Sequence, residues 1–192
     1  MISKNTNEIL DNGNVDNIKK IKITAYEPAY GIIGDPAKRN PKTRQSADHS
    51  MVYIISSILR KAFEKSTNIR EEHTIEDLWK YLMLLPKDYS YQAIYNEVTR
   101  KLMDKIEFEH GGKEYDELYP KGIPTSISIE TANDQTFDSG LVLFPGGHSQ
   151  NETVSLNNIM QHKFVKLGSL ALKKDDLVQF VLNLENIGDM TN

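Results

Sequence analysis

Residues 20–25 read Lys-Ile-Lys-Ile-Thr-Ala, with Ile21, Ile23 and Ala25 on one side of a period of two and Lys20, Lys22 and Thr24 on the other. A strand with that alternation is apolar on one face only, so its sheet must be covered on one side and open to water on the other. Residues 1–17, rich in Asn and Asp and without an apolar h-region, read as a flexible lead into this strand. Further strand signals come late. Ile106 and Phe108 alternate with Glu107 and Glu109 before the turn at Gly111-Gly112, and 124–144 reads as a hairpin turning at Asn133-Asp134.

Between the strand signals the period changes to that of a helix. A long helix is predicted over 46–65, with Met51, Ile54, Ile55, Ile58, Leu59 and Ala62 as its apolar stripe. His49, Tyr53, Ser56 and Arg60 fall at i, i+4, i+7 and i+11 and form a second, polar stripe. Thr74 reads as the N-cap of a short helix, with Glu76 and Asp77 in its first turn and Pro86 as its stop. Residues 91–103 read as another amphipathic helix, and two helices over 155–172 and 175–187 close the chain.

Strands and helices are segregated along the chain. That favours an α+β, two-layer domain in which a small, mostly antiparallel sheet packs against helices. The expected organisation is a flexible stretch over 1–17, an α+β unit over 18–150, and C-terminal helices over 151–192 that pack on the same unit. A chain of 192 residues with 39% hydrophobic residues can bury one core of that size.

Composition narrows the function classes. The net charge of −4 gives no basic excess to neutralise phosphates, so nucleic acid is not expected as a partner. No apolar run approaches the length that crosses a bilayer, so no membrane partner is expected and the chain reads as cytoplasmic. The absence of cysteine excludes a disulfide framework, a thiol nucleophile and a cysteine-held iron–sulfur cluster. His73, His110 and His162 have no partners at metal-ligand spacing and read as surface residues; no metal and no cofactor are expected.

The residues that carry chemistry concentrate in 38–53. His49 and Tyr53, one helical turn apart, could serve as a general acid–base and a proton donor or carboxylate orienter. A helix start, with its free N–H groups, favours anions, and Lys38, Arg39, Lys42 and Arg44 lie just upstream. The same residues also suit a structural pair and a solvated basic loop. Pro145-Gly146-Gly147-His148 could place His148 near a ligand, or form a glycine-rich strand exit.

The stretch DPAKRNPKTRQSADHSMVYII, residues 35–55, resembles the block that leads into a helix in the MmgE/PrpD family, which includes 2-methylcitrate dehydratase. Tyr26-Glu27-Pro28-Ala29, GLVLFPGGHSQN at 140–151, and Lys163-Phe164 with Leu167 fit the same pattern, so the resemblance spans about 18–184. It implies the family's smaller α+β domain plus C-terminal helices. It also implies that a helical domain carrying much of the acid–base machinery lies outside these residues, either absent or on a separate polypeptide. On this resemblance Tyr53 matches a substrate-pocket tyrosine and is expected, with His49, to be catalytic. Ser50, Lys42, Arg44 and His148 are expected to bind substrate.

The expected reaction is then a cofactor-independent dehydration of a tricarboxylate, 2-methylcitrate to 2-methylaconitate, in propionate catabolism. The chain alone is expected to be inactive, and a homodimer is expected through the apolar faces of 75–85 and 156–187. Alternatives are a non-catalytic remnant that serves assembly or ligand binding, and a related reaction such as cis-aconitate decarboxylation or epimerisation.

Overall fold

The computed structural model describes residues 5–10, 14–64 and 74–186. The strand that opens the sequence reading is β1, Ile18–Ala25. It pairs in parallel with β2, Ile106–His110, and antiparallel with β3, Thr125–Thr131, which turns back into β4, Thr136–Asp138. The order across the sheet is β2-β1-β3-β4.

The alternation sets the two faces. Ile21 stands beside Ile106 and Ile129, Ile23 beside Phe108 and Ile127, and Phe137 beside Ile129, all in the core layer. On the other face Lys20 meets Glu107 at 2.5 Å, Lys22 meets Glu109 at 2.8 Å and Lys19 meets Glu130 at 2.6 Å. A register shift between Ile18 and Lys20 lets Ile18 turn into the core as well, although its parity is opposite to that of Ile21. The structure is thus α+β with a small mixed sheet, two of its three pairings antiparallel.

A parallel pair needs a long crossover, and the helices described within 26–64 and 74–105 cover the apolar face. The N-terminal stretch, read from its composition as flexible, contains α1, Thr6–Leu10, which buries Ile9 and Leu10 in the core. Asn17 holds it there by donating its amide to the carbonyls of Glu8 at 2.6 Å and Ile9 at 3.3 Å.

The long helix expected over 46–65 is two helices: α2, Arg44–Asp48, and α3, Met51–Glu64. The break falls at His49-Ser50. Ser50 accepts the Tyr53 N–H at 3.2 Å, which starts a new helix, and donates its hydroxyl to the Lys38 carbonyl at 2.7 Å. α3 buries Val52, Leu59, Ala62 and Phe63, but also Tyr53 and Ser56 from the stripe expected to be polar, and Lys61.

Thr74 caps α4, Ile75–Leu82, in a reciprocal box with Asp77, as the spacing predicts. The helix expected over 91–103 is interrupted, giving α5, Tyr91–Ile94, and α6, Glu97–Met103, because Asn96 accepts the Thr99 N–H at 3.0 Å and caps the second segment. A single turn, α7, Lys113–Asp116, precedes the hairpin. The chain closes with α8, Leu156–Gly168, and α9, Lys174–Glu185. Ile159 and Leu177 are buried at their contacts, while Met160, Leu170, Val178, Phe180 and Leu182 stay exposed. No helix among the described residues is long and apolar enough to cross a membrane.

Candidate functional site

The segment 35–53 is held by its backbone. Asp35 accepts the Ala37 N–H at 2.8 Å and starts a 3-10 turn over Pro36–Lys38. Arg100 grips the next stretch, donating to the Asn40 side chain and the Pro41 carbonyl at 2.6 Å each, while its Nε reaches the Ile94 carbonyl at 2.7 Å. Thr43 and Ser46 then cap α2 reciprocally. Lys42 and Arg44 are exposed on this frame.

His49 and Tyr53 do not share a face. His49 ends α2, and its side chain is 81% exposed, with Nε2 at 3.7 Å from the Asp48 carboxylate. Tyr53 lies two residues inside α3 and is fully buried. The helix break at Ser50 separates them. It also removes the long-helix argument for anion binding, because α2 has five residues and the Thr43 cap engages the Ser46 N–H. Ser50 itself is fully buried, and its hydroxyl is used as both donor and acceptor within the chain.

The Tyr53 hydroxyl donates to the Asp88 carbonyl at 2.5 Å, and its ring leans on Tyr89, with centroids 5.9 Å apart. Burial pushes its phenol above the ordinary tyrosine range. The Asp88 carboxylate accepts Lys61 Nζ at 3.1 Å and the Leu85 N–H at 2.8 Å, and Lys61 also donates to the Met83 carbonyl at 2.6 Å. Arg60 approaches the other Asp88 oxygen at 4.0 Å. A buried ion pair of this kind needs the extra hydrogen bonds that Leu85 and Met83 supply. Among the described residues, Ser56 Oγ and Arg60 Nε are buried without a hydrogen-bond partner.

Sequence reasoning missed Asp88, Lys61 and Arg100. Lys61 carried a signal, since it precedes Ala62 and Phe63 at the buried end of an apolar helix and a cation there needs a partner. Beside the Lys61–Asp88 pair opens a cavity of about 530 Å³ between α3, α4, the loop over 83–88 and α8.

His148 belongs to another corner. It accepts the Gln150 N–H at Nδ1, 3.1 Å away, and stacks on Phe144. Gly146 in that turn lies so close to Trp79 that a Cβ would stand 2.7 Å from the indole nitrogen. Among the described residues no hydrogen bond, ion pair or ring contact joins His148 to 42–53. His110 pairs with Asp116 at 3.0 Å, and His162, expected on the surface, is half-buried in the cavity wall. His73 lies outside the described residues. Among the described residues no cluster of three or more His, Asp or Glu side chains could hold a metal ion. No protein-family profile matches the chain, and no curated protein matches it.

Proposed function

We propose that the chain contributes the α+β half of a cofactor-independent hydro-lyase of the 2-methylcitrate dehydratase type, acting in the cytoplasm. The reading rests on the run from Lys42 to Tyr53. In it Lys42, Arg44 and His49 stand exposed on a segment fixed by Arg100, Ser50 and the Thr43 cap. Two cations on a rigid rim suit a substrate that carries several carboxylates.

In the dehydration a base takes a proton from carbon, the neighbouring hydroxyl leaves with a proton as water, and a carbon–carbon double bond remains. Lys42 and Arg44 would hold carboxylates, and His49 is the exposed group able to exchange a proton. Ser50 and Tyr53, both buried, would act by positioning this rim. The other acid–base groups would come from a helical domain outside these residues. The uncovered apolar side chains Met160 on α8, Leu170 in the turn after it and Phe180 on α9 support a docking surface for that domain. They equally support the second reading, a module that serves assembly as a homodimer.

The test is co-expression with a helical-domain polypeptide of this enzyme type, followed by assays on 2-methylcitrate, citrate and cis-aconitate. Turnover of 2-methylcitrate by the pair, absent from the chain alone, is the expected result. Tyr53→Phe should then lower turnover on the order of tenfold. No turnover of any of the three acids by a well-formed complex would leave the assembly reading standing.

A further inference from the structure

The cavity beside Lys61 has an uneven distribution of free charge. Its acids are engaged within the chain: Glu64 accepts Arg60 at 2.6 Å, Asp77 accepts the Thr74 hydroxyl at 2.6 Å, and Asp88 accepts Lys61 and Leu85. Lys80 of α4 pairs with Glu76 at 2.7 Å. Lys87 and Lys166, from the loop and from α8, line the same cavity and make no ion pair among the described residues. His162 stands one turn before Lys166, and Tyr81 completes the polar wall opposite Met83 and Leu85.

We propose that this cavity binds a small multivalent anion, one carrying two or more carboxylate or phosphate groups. Its volume, about 530 Å³, lies in the range of small-molecule sites. Lys87 and Lys166 line it from separate elements, so a ligand with two anionic ends can engage both. The state of His162 agrees. Burial, followed by the charges of Lys166 and Lys80, holds its imidazole below the ordinary histidine range, as expected in a pocket with surplus positive charge. A bound anion offsets that charge and moves the imidazole back up. The site is separate from the Lys42–His49 rim and does not depend on the dehydratase reading.

The experiment titrates the full chain with citrate and, separately, with inorganic pyrophosphate at constant ionic strength. Calorimetry reads the binding, and the His162 imidazole is followed by NMR. Saturable one-site binding is expected for at least one of the two, with the pKa of His162 rising on saturation. Citrate alone would mark a carboxylate site, pyrophosphate alone a phosphate site, and both a site selected by charge. The double change Lys87→Gln/Lys166→Gln, at two exposed positions, should weaken binding at least about tenfold. Lys113→Gln/Lys121→Gln, at exposed lysines outside the cavity lining, should leave it unaltered. Absence of saturable binding in the millimolar range, or binding indifferent to the Lys87/Lys166 change, overturns the proposal. So does binding lost with Lys42→Gln/Arg44→Gln, which would place the anion on the rim.

Discussion

The Tyr53 hydroxyl and the Asp88 main-chain carbonyl, 35 positions apart in sequence, meet at 2.5 Å in the core. This bond ties the first turn of α3 to the loop that follows α4. Tyr53→Phe keeps the ring and its packing on Tyr89 but leaves the carbonyl buried without its donor. The expected loss is about 1–2 kcal/mol of unfolding free energy. Urea denaturation followed by circular dichroism reads it, and an unchanged midpoint would mean that the bond contributes nothing. His49→Gln, at a side chain 81% exposed, should move the midpoint by less than about 0.5 kcal/mol.

The Asp88 carboxylate is a counter-charge for Lys61, whose side chain is 9% exposed, and lies 4.0 Å from Arg60, which also pairs with Glu64 at 2.6 Å. Asp88→Ala takes that carboxylate from the buried Lys61 and removes the acceptor of the Leu85 N–H. It should cost about 3–5 kcal/mol, the range for breaking a buried pair from one side. Asp88→Asn keeps an oxygen for Leu85 and should fall between wild type and Ala. Thermal melting of the three proteins gives the order, and a melting temperature for Asp88→Asn equal to that of wild type would refute the charge argument.

How much of this was readable beforehand depends on how local each cause is. The faces of β1 follow from its own alternation, and the Thr74 cap from two residues in one turn. The hairpin turn needed only Asn133-Asp134, where Asp134 adopts φ +57°. The exposure of Lys42 and Arg44 was likewise legible from their charge, although Arg44 opens α2 instead of lying on the loop. The break at His49-Ser50 was not, because Ser50 becomes a cap only when the Lys38 carbonyl lies beside it. Nor was the burial of Tyr53 and Lys61, whose common partner follows a different helix. The parallel pairing of β1 with β2 left no trace in alternation, which is the same for either direction.

Arg100 is the clamp behind the rim. Its guanidinium reaches the Asn40 side chain and the Pro41 carbonyl at 2.6 Å each and lies 5.0 Å from the centre of the Tyr95 ring. A lysine has neither the fork nor the plane to make these contacts together. Arg100→Lys should therefore free the segment 38–44 while the sheet remains intact. Amide hydrogen exchange should speed up locally for residues 38–47 and stay constant in β1 and β3. Equal acceleration in both regions would assign Arg100 to global stability instead.

Glu76 links α4 to α8, and this link should fail in acid. Its carboxylate accepts Lys80 at 2.7 Å, the Asn158 side chain at 2.9 Å and the Ser155 N–H at 3.4 Å. The Lys80 hydrogen bond, with smaller help from Asn158 and Ser155, holds its carboxyl below the ordinary glutamate range. A carboxyl whose folded pKa is depressed stabilises the fold above its unfolded pKa, and that contribution disappears as pH falls through the folded value. The docking of α8 on α4 should therefore hold at neutral pH and loosen below about pH 4.5. Trp79, the chain's single tryptophan, sits in α4 three residues after Glu76 and reports on this corner. Its fluorescence should change along the acid limb in wild type. In Glu76→Gln, which cannot ionise, the α8 link should be weak at every pH, so that part of the change should vanish. Superimposable acid profiles for the two proteins would show that Glu76 does not carry the link.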